Sequence, residues 1–303
     1  MSDRTIKLSG VVVCFNEASR LGECLDAMRF CEDRTVIDLG SSDGSAAVAE
    51  AHGARVVDHP WVPVVERVRS FAAEQVAHDW LVFLDPDMVL PEGAEAALRA
   101  KLAGDDGSLA CVGMAWQAMF IGRELRFTRW GGLRRNNPVL LHRRRMAITE
   151  EVHAGLRPLP GYRFEGIEPS IGLVIKHYWI DSLDELLSKH RRYNLQEGKK
   201  RINGGKEPGP RPPRTRLAWA FVYSYLQRLG VLEGRLGLFL SVFWACYLYN
   251  NWASARWIAE HQERGEIATT FPADRGIRDD ALRTWFRRLG LPEQLPAEEA
   301  SAC

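Results

Sequence analysis

The sequence has almost no net charge, no cysteine motif and no apolar run within its first seven residues. It holds 40 Lys and Arg against 39 Asp and Glu, a formal net charge of +1. No global attraction to nucleic acid or to acidic partners is therefore expected. The 6 cysteines show no Cys-x-x-Cys spacing, and Met1 to Lys7 lack the apolar core of a signal peptide. Scattered thiols without a signal peptide predict a protein of the reducing cytoplasm.

The residues present describe an ordinary folded protein with an alternating pattern at its start. The chain has 303 residues, 46% of them hydrophobic and 26% charged, which is enough to bury a large core. Strands are predicted at 10–15, 34–39, 54–59 and 80–84, and helices at 18–31, 45–53 and 64–78. This βαβαβ order predicts a parallel sheet with right-handed crossovers, and thus an α/β fold.

The run from Trp80 to Leu84 ends abruptly in Asp85-Pro86-Asp87. An unbroken apolar run suits a parallel strand buried on both faces, and the proline ends it because it cannot donate to the sheet. Two carboxylates then lie near the carboxyl end of a buried strand, where open α/β sheets bind ligands. Side by side they repel unless a cation lies between them, such as Mg²⁺ or Mn²⁺ completed by water and a diphosphate. A plain turn is the alternative.

A second candidate is the loop Gly40 to Ser45, which follows Asp38. Small residues between a strand and a helix N-terminus let backbone amides approach a nucleotide or a phosphate. The loop matches neither Gly-x-Gly-x-x-Gly nor the Walker pattern, so dinucleotide and P-loop sites lose their support. A loop without a ligand remains the alternative.

Three motifs together resemble glycosyltransferase family 2, in the family's order and at its spacing. They are Val-Val-Val-Cys-Phe-Asn-Glu at 11–17, Val-Ile-Asp-Leu-Gly-Ser-Ser-Asp-Gly-Ser at 36–45 and Asp-Trp-Leu-Val-Phe-Leu-Asp-Pro-Asp at 79–87. The resemblance implies the GT-A fold, a Rossmann-like, mostly parallel sheet flanked by helices. It also implies a nucleotide-sugar donor, inversion at the anomeric carbon, and Mn²⁺ or Mg²⁺ as the cofactor.

The resemblance also assigns residues to the donor and to the metal. Asp38 is expected at the uracil edge or the ribose, and Ser70 stands where an Asn is common beside Arg69. The expected donor-binding residues are Phe15, Glu17, Asp38, Ser41, Asp43, Arg69 and Asp85. The expected metal ligands are Asp85, Asp87 and His177, the last at the end of a strand predicted over 171–178.

The acceptor side departs from the pattern that it resembles. Val152-His153 is similar to a Val-His-Glu signature of bacterial members that build lipopolysaccharide core, in which the Glu is the expected general base. Here that position is Ala154. A base must reach the acceptor hydroxyl, so Glu151 and His153 become the catalytic candidates, with Glu165 and Glu168 as further options. Alternatively, Glu150 and Glu151 only pair with the arginines at 143–145.

The second half of the chain changes in composition. Ser182 and Glu185 predict a capping box that opens a helix. Residues 236–249 carry no charge, but fourteen of them are too few for a hydrocarbon core of about 30 Å. We predict a GT-A catalytic domain at 1–197, a basic Pro/Gly linker or lid at 198–216, an apolar, aromatic helical region at 217–271, and an amphipathic segment with a polar tail at 272–303.

The region 217–271 is predicted to lie at a membrane surface or in an oligomer interface. Its tryptophans and tyrosines suit the headgroup level, and the arginines nearby suit anionic lipid. The resemblance, in Gly234-Arg235-x-Gly237 followed by an apolar run, favours a peripheral enzyme on the inner face of the cell membrane. A homo-oligomer through these helices is the alternative.

The predicted function is transfer of a sugar from a UDP-sugar to a hydroxyl of a lipid-anchored or lipopolysaccharide-like glycan, without any nucleic-acid partner. Two alternatives remain open. A nucleotidyltransferase also pairs an α/β sheet with metal-binding carboxylates. It would need a Gly-rich loop with Arg and Lys close to the N-terminus, and residues 16–20 supply too little of this. A non-catalytic sugar-nucleotide-binding or scaffold protein would explain Ala154.

Overall fold

The computed structural model describes residues 6–131, 136–149, 156–169 and 172–294. These residues form two compact units. The first holds 6–117, 136–149, 156–169 and 172–178, and the second holds 118–131 and 179–294. The units therefore divide near residue 178 rather than at the predicted boundary after 197, and a short excursion at 118–131 joins the second unit.

The first unit begins with the predicted parallel sheet. Strands β1 (Leu8–Cys14), β2 (Asp33–Asp38), β3 (Arg55–Asp58) and β4 (Trp80–Leu84) lie in the order β3-β2-β1-β4, and each neighbouring pair is parallel. Helices α1 (Ala18–Asp26), α2 (Ser45–Ala51) and α3 (Arg69–Glu74) connect them. The predicted βαβαβ order is confirmed.

Further strands extend the sheet beyond β4. The elements after β4 are, in chain order, β5 (Met88–Val89), α4 (Ala94–Ala103), β6 (Leu109–Phe120), β7 (Arg123–Leu125), β8 (Asn136–His142), β9 (Met146–Ile148), β10 (Leu156–Pro158), β11 (Arg163–Gly166) and β12 (Ile175–Ile180). Strand β8 runs antiparallel to both β4 and β6, so β6 has the direction of β4, and β11 pairs parallel with β6. Strands β9 and β10 form a separate antiparallel pair.

Alternate residues of the central strands build two cores, one on each face of the sheet. Val12 and Leu84 pack with Leu21 and Leu25 of α1 on one face. Val11, Val13 and Phe83 pack on the other face with Ala72 of α3. All seven residues of β1 and all five of β4 are buried. A strand covered on both faces reads as a continuous apolar run, which explains why β4 was visible in the sequence.

Three predicted elements of this unit differ in extent. The helix predicted over 18–31 ends at Asp26, and the chain continues in turns. The helix predicted over 64–78 is a 3₁₀ turn, Val65–Arg67, followed by the short α3, since the β-branched valines at 64, 65 and 68 disfavour a regular helix. The strand predicted over 171–178 begins at Ile175 and continues past His177 to Ile180, because Trp179 and Ile180 are buried.

The second unit is mainly helical. Its helices are α5 (Leu183–Asn203), α6 (Arg214–Val222), α7 (Gly234–Glu263) and α8 (Asp279–Arg288), and α6 continues into a π-helical turn, Tyr223–Gln227. Ser182 Oγ accepts a hydrogen bond from the Glu185 N–H at 3.1 Å, so the predicted N-cap of α5 is confirmed. Leu186, Phe239 and Phe286 lie in its core.

The predicted linker at 198–216 is wrong at both ends as secondary structure. Helix α5 continues to Asn203, and α6 begins at Arg214. Lys199 to Ile202 are residues that a helix accepts at modest cost, whereas Gly204-Gly205 and the prolines from 208 onward end it. The predicted polar tail lies outside the described residues from 295 onward.

Helix α7 is thirty residues long, so the argument that the apolar run is too short does not hold. In the described part of the chain, Gly230–Glu263 is the one helical stretch long and apolar enough to cross a membrane, but a core helix has the same properties. Asn194 Nδ2 of α5 donates to the Tyr247 carbonyl at 3.2 Å, and Asn250 Oδ1 accepts from the Ile277 N–H at 2.7 Å. These contacts hold α7 against other elements of the second unit.

Arg191 holds the segment before α8 against α5. Its guanidinium pairs with Asp279 at 2.7 Å and donates to the carbonyl oxygens of Ala273, Arg275 and Ile277 at 2.7–3.0 Å. A buried arginine is tolerated only when its donors are satisfied in this way. The Arg191 side chain, together with Asn250, therefore fixes the segment 273–279.

His190 lies in an aromatic box of the second unit and is 5% exposed. Its Nδ1 lies 2.7 Å from the Leu186 carbonyl oxygen, so this nitrogen carries the proton. Burial disfavours the charged ring and lowers the pKa of His190 from 6.5 to about 4. The rings around it belong to Trp130, Trp179, Tyr193, Phe243 and Tyr247.

We expect the free energy of unfolding to fall as the pH falls from about 6.5 to about 4. The unfolded chain binds the proton near the upper value and the folded protein only near the lower one, so acid favours unfolding. The loss tied to His190 is roughly 3 kcal/mol. Urea unfolding across this range measures it, with His190→Gln as the comparison, and equal pH dependence of the two proteins would contradict the prediction.

Candidate active site

Carboxylates lie where the parallel strands β2 and β4 end. Asp38 is the last residue of β2 and pairs with Cys14, the last residue of β1. Asp85 follows directly after β4, which is parallel to β1. Because parallel strands end at the same edge, the sheet gathers these carboxylates at one edge.

Asp38 is nearly fully buried, at 5% exposure. Its Oδ2 accepts hydrogen bonds from the N–H groups of Gly40 and Ser41 at 3.1 and 2.9 Å. Its Oδ1 is buried and has no hydrogen-bond partner among the described residues. A buried carboxylate oxygen is costly without a donor, so Asp38 offers one acceptor to a ligand.

Two loops at this edge are joined by hydrogen bonds before any ligand is considered. Asn16 has a left-handed backbone (φ 56°); its N–H donates to Ser41 Oγ at 2.9 Å, and its Oδ1 accepts from the Ser42 N–H at 2.7 Å. Asp43 accepts from the Ala18 N–H at 2.9 Å and from Ser45 Oγ at 2.5 Å. Ser41 and Asp43, which the sequence assigned to the donor, therefore fix the shape of the loops.

The hydrogen bonds keep Asp43 ionised. Burial alone would raise the pKa of its carboxyl, but the hydrogen bonds from Ser45 and Ala18 outweigh burial and hold the pKa below its ordinary value. A charged acceptor forms stronger hydrogen bonds than a neutral one. The loop contact is thus maintained at neutral pH.

Phe15 and Glu17 follow β1 at the same edge. The Glu17 N–H donates to Ser45 Oγ at 3.0 Å, at the start of α1. The Phe15 ring is 39% exposed and meets the Trp61 ring edge-on, with centroids 6.3 Å apart. Trp61 was missed in the sequence, where its one signal is a large aromatic in a loop after an edge strand.

The Asp85-Pro86-Asp87 turn is tied to β12. The Asp85 carbonyl oxygen accepts from the Met88 N–H at 3.0 Å, and the Asp87 carbonyl oxygen accepts from the Tyr178 N–H at 2.8 Å. The antiparallel pairing of β5 and β12 places His177 opposite Met88. His177 Nε2 then lies 3.2 Å from Asp87 Oδ2. The structure thus brings together two of the three predicted metal ligands, ninety positions apart in sequence.

Asp87 and His177 fit a divalent cation whose remaining ligands are not protein side chains. A carboxylate with an imidazole suits Mn²⁺, and a carboxylate with phosphate oxygens and water suits Mg²⁺. Among the described residues, however, no three His, Cys, Asp or Glu side chains are gathered closely enough to hold a metal ion. Water and a diphosphate would have to complete the coordination.

Cys24 and Arg20 of α1 lie near this turn and were not identified from the sequence. Cys24 Sγ lies 3.5 Å from the Asp85 carbonyl oxygen, and burial, with Asp87 and Asp85 next, raises its pKa well above the ordinary value. It is a packed thiol. The Arg20 guanidinium lies 3.9 Å from the centre of the Tyr178 ring, and so brings positive charge to this region.

Arg69 begins α3 and is partly neutralised. Its guanidinium lies 3.8 Å from the Glu66 carboxylate, and its Nε is buried without a hydrogen-bond partner among the described residues. The predicted contact of Arg69 with the nucleotide-sugar stays a prediction. The Nε–H of Arg69 is available for a hydrogen bond, but its positive charge is partly neutralised by Glu66.

The family model described as glycosyl transferase family 2 matches residues 9–168, more than half of the chain. The chain belongs to this family. The match covers β2, which ends in Asp38, and β4, which Asp85 follows. The chain is therefore a glycosyltransferase.

Relatives of known name agree with this family 2 membership. The lipopolysaccharide core biosynthesis glycosyltransferase LpsC of Rhizobium meliloti (strain 1021) is 25% identical over 214 residues, which cover 67% of this chain and 74% of LpsC. An uncharacterized glycosyltransferase of Rickettsia bellii (strain RML369-C) is 24% identical over 248 residues, covering 80% of this chain and 83% of the relative.

One solved structure shows the same fold. The mannosyltransferase PcManGT from Pyrobaculum calidifontis, in complex with GDP-Man and Mn²⁺, is 14% identical, with a TM-score of 0.51 over 84% of this chain and 88% of that one. At this identity the likeness concerns the fold alone. The predicted GT-A architecture is confirmed.

The residues predicted for the acceptor side of this family 2 enzyme are only partly among those that the structure describes. Glu151 and His153 lie outside the described residues. Glu165 pairs with Lys101 at 3.0 Å and with Arg163 at 2.9 Å, and these hydrogen bonds lower its pKa, which does not suit a base. Glu168 is exposed, two residues beyond the end of β11.

The arginines at 143–145 already have acidic partners. Arg143 and Arg144 lie 2.8 and 3.2 Å from Asp79, and Arg145 lies 2.7 Å from Asp105. Glu150 and Glu151 lie outside the described residues, so the alternative that they only pair with these arginines stays an untested prediction.

Asp43→Ala should destabilise the first unit of this glycosyltransferase. It removes the acceptor for the Ala18 N–H of one loop and for the Ser45 N–H and hydroxyl of the other, at a cost of roughly 1–2 kcal/mol, or a melting temperature lower by about 2–8 °C. Asp58→Ala is the matched control, because Asp58 is an exposed carboxylate at the end of β3. Equal melting temperatures of the two variants would show that Asp43 does not hold the loops.

Proposed function

We propose that this family 2 enzyme transfers a sugar from a UDP-sugar to a hydroxyl of a lipid-anchored or lipopolysaccharide-like glycan, with inversion. The observation that carries the proposal is the edge where Asp38, Asp85 and Asp87 follow parallel strands, with His177 3.2 Å from Asp87. That edge is where an α/β sheet receives a nucleotide, and its acidic end is where a metal-bound diphosphate would lie.

Asp38 is proposed to bind the nucleoside. Its Oδ2 is held by two backbone amides, so its Oδ1 can accept from the uracil N–H or a ribose hydroxyl. Phe15 and Glu17, at the end of β1, are the neighbours proposed to contact the same part of the donor. Ser41 and Asp43 hold the loops of this pocket, and both stay proposed contacts of the donor.

Asp87 and His177 are proposed to hold Mn²⁺ or Mg²⁺, with Asp85 beside them. When bound, the cation would neutralise the negative charge that develops on the departing diphosphate. The chain's part is to fix the two ligands: the β5–β12 pairing sets His177, and the Tyr178 N–H fixes the backbone of Asp87.

The proton of the acceptor hydroxyl is proposed to go to Glu151, with His153 as the second candidate. A base at this step needs a pKa near the working pH and a place within hydrogen-bond reach of the hydroxyl. Glu168 is the remaining carboxylate option, since Glu165 is engaged by Lys101 and Arg163.

The acceptor class follows the relatives. LpsC is named for lipopolysaccharide core biosynthesis, and it aligns with two thirds of this chain. A lipid-anchored acceptor agrees with a cytoplasmic enzyme at the inner face of the cell membrane. Family membership sets aside the nucleotidyltransferase alternative, whereas a non-catalytic protein remains an outcome of the test.

Purified protein should release UDP from one member of a panel of UDP-sugars, with GDP-mannose included, only when Mn²⁺ or Mg²⁺ is present. Asp87→Ala should lower this turnover by at least about 10²-fold and abolish the Mn²⁺-dependent rise in melting temperature with UDP. Glu92→Ala, an exposed carboxylate beyond the same turn, is the control.

Release of pyrophosphate instead of UDP, or no turnover of any donor by the unaltered protein, would contradict the proposed reaction. Full activity of Asp87→Ala with an intact Mn²⁺ response would show that Asp87 is not a metal ligand.

Glu151→Gln should lower kcat by about 10²–10⁴-fold while UDP binding stays unchanged, because a base acts on the acceptor and not on the donor. Glu168→Gln and His153→Gln are assayed beside it with the same donor. Thermal shift with UDP and Mn²⁺ measures donor binding separately from turnover. If Glu168→Gln loses activity and Glu151→Gln does not, the base is Glu168.

A further inference from the structure

Large apolar side chains are exposed together on one stretch of the second unit. They are Trp219, Val222, Leu226, Leu229, Val231 and Leu232, which we call the α6 face. Trp219 and Leu232 are 59% and 61% exposed, which is far beyond what a core residue shows. A contiguous exposed apolar patch marks a surface that binds something.

The α6 face follows from the helix period. Trp219, Val222 and Leu226 recur at intervals of three and four along α6 and its π-helical continuation, so they share one side. Ala220 and Ser224 lie on the opposite side and are buried. The apolar side chains therefore point outward because the small ones point inward.

The buried side of this segment is tightly held. Ser224 and Ser241 hydroxyls lie 3.0 Å apart, and a Cβ on Gly237 would meet the Gly230 carbonyl oxygen at 1.8 Å. Only glycine permits this approach of α7 to the turn. Leu229 adopts a left-handed backbone (φ 57°), which is costly for a bulky residue and persists because the surrounding packing enforces it. The face is a fixed shape.

The stretch of sequence that carries the α6 face has charge of one sign. From 208 to 232 the sequence contains four arginines and no Asp or Glu. Arg214 and Arg216 are exposed on the first turn of α6, and neither forms an ion pair within the described residues. The arginines are Arg211, Arg214, Arg216 and Arg228.

We propose that the α6 face docks on an anionic lipid surface, with Trp219, Leu226 and Leu232 entering the headgroup region and the arginines meeting lipid phosphates. Tryptophan and aliphatic side chains with arginines around them are the composition that lies in a bilayer interface. The positive charge needs an anionic partner, and the face itself supplies no acid.

A second copy of the chain fits the face poorly. A two-fold dimer would place the same patch against itself, so these arginines would face arginines without a compensating carboxylate. Desolvating unpaired cations is unfavourable, whereas anionic headgroups would neutralise them. The charge pattern therefore selects the lipid surface over self-association.

Co-sedimentation of the full chain with vesicles tests the docking. The protein should bind vesicles of phosphatidylcholine with phosphatidylglycerol, bind vesicles of phosphatidylcholine alone much less, and lose binding as salt is raised. Arg214→Gln and Arg216→Gln should each lower the partition coefficient about fivefold. Arg288→Gln, an exposed arginine in the last turn of α8, is the charge control.

The apolar contribution is tested with Leu232→Ser and Trp219→Ser, each of which should lower vesicle binding by about tenfold or more. Ile267→Ser is the matched control, since Ile267 is 84% exposed and lies outside the face. Melting temperatures of the variants show that they remain folded, and UDP release shows that the catalytic unit is unchanged.

Three results would overturn the proposal. The full chain could fail to bind anionic vesicles, or Leu232→Ser and Trp219→Ser could bind as the unaltered protein does. The protein could also be a dimer in light scattering that dissociates with Leu232→Ser, which would make the face a subunit interface. Vesicle binding needs no sugar transfer, so its failure is distinct from failure of the proposed reaction.

Discussion

A carboxylate removed from water must be met by donors or by a cation, and this constraint organises the carboxyl edge of the sheet. The buried Asp38 receives two backbone amides on one oxygen, and the partly buried Asp87 meets His177. Parallel strands that end together place Asp38 and Asp85, whereas the antiparallel pairing of β5 and β12 brings His177 to Asp87. The fold supplies the convergence, and the acidic residues determine what the edge can bind.

The sequence predicted the first part of this arrangement well, because the signals there are local. An apolar run covered on both faces is legible as β4, and a carboxylate directly after such a run is placed by topology alone. The contact of Asp87 with His177 is different. It depends on antiparallel pairing across ninety positions, and only the family resemblance pointed to it. Trp61 and Arg20 had no such support, and they were missed.

The helical half of the chain shows where composition misleads. The uncharged run 236–249 is followed by Asn250 and Asn251, whose polar side chains suggest the end of an apolar segment. Within the second unit Asn250 instead accepts from the Ile277 N–H, so α7 passes through that position without interruption. Likewise, glycines and prolines near 204–213 suggested a longer linker than exists, since the lysines before them continue α5. Contacts made at long range decided both cases.

The hydrogen bonds that join the loop at 16–18 to the loop at 41–45 have a thermodynamic consequence. The conformational entropy of the two loops is lost when the protein folds, and not when a ligand binds. If a nucleotide binds at this edge as proposed, the loops there are already ordered, and its affinity is not reduced by the cost of arranging them. The same order should make the association rate depend on diffusion and charge more than on loop rearrangement.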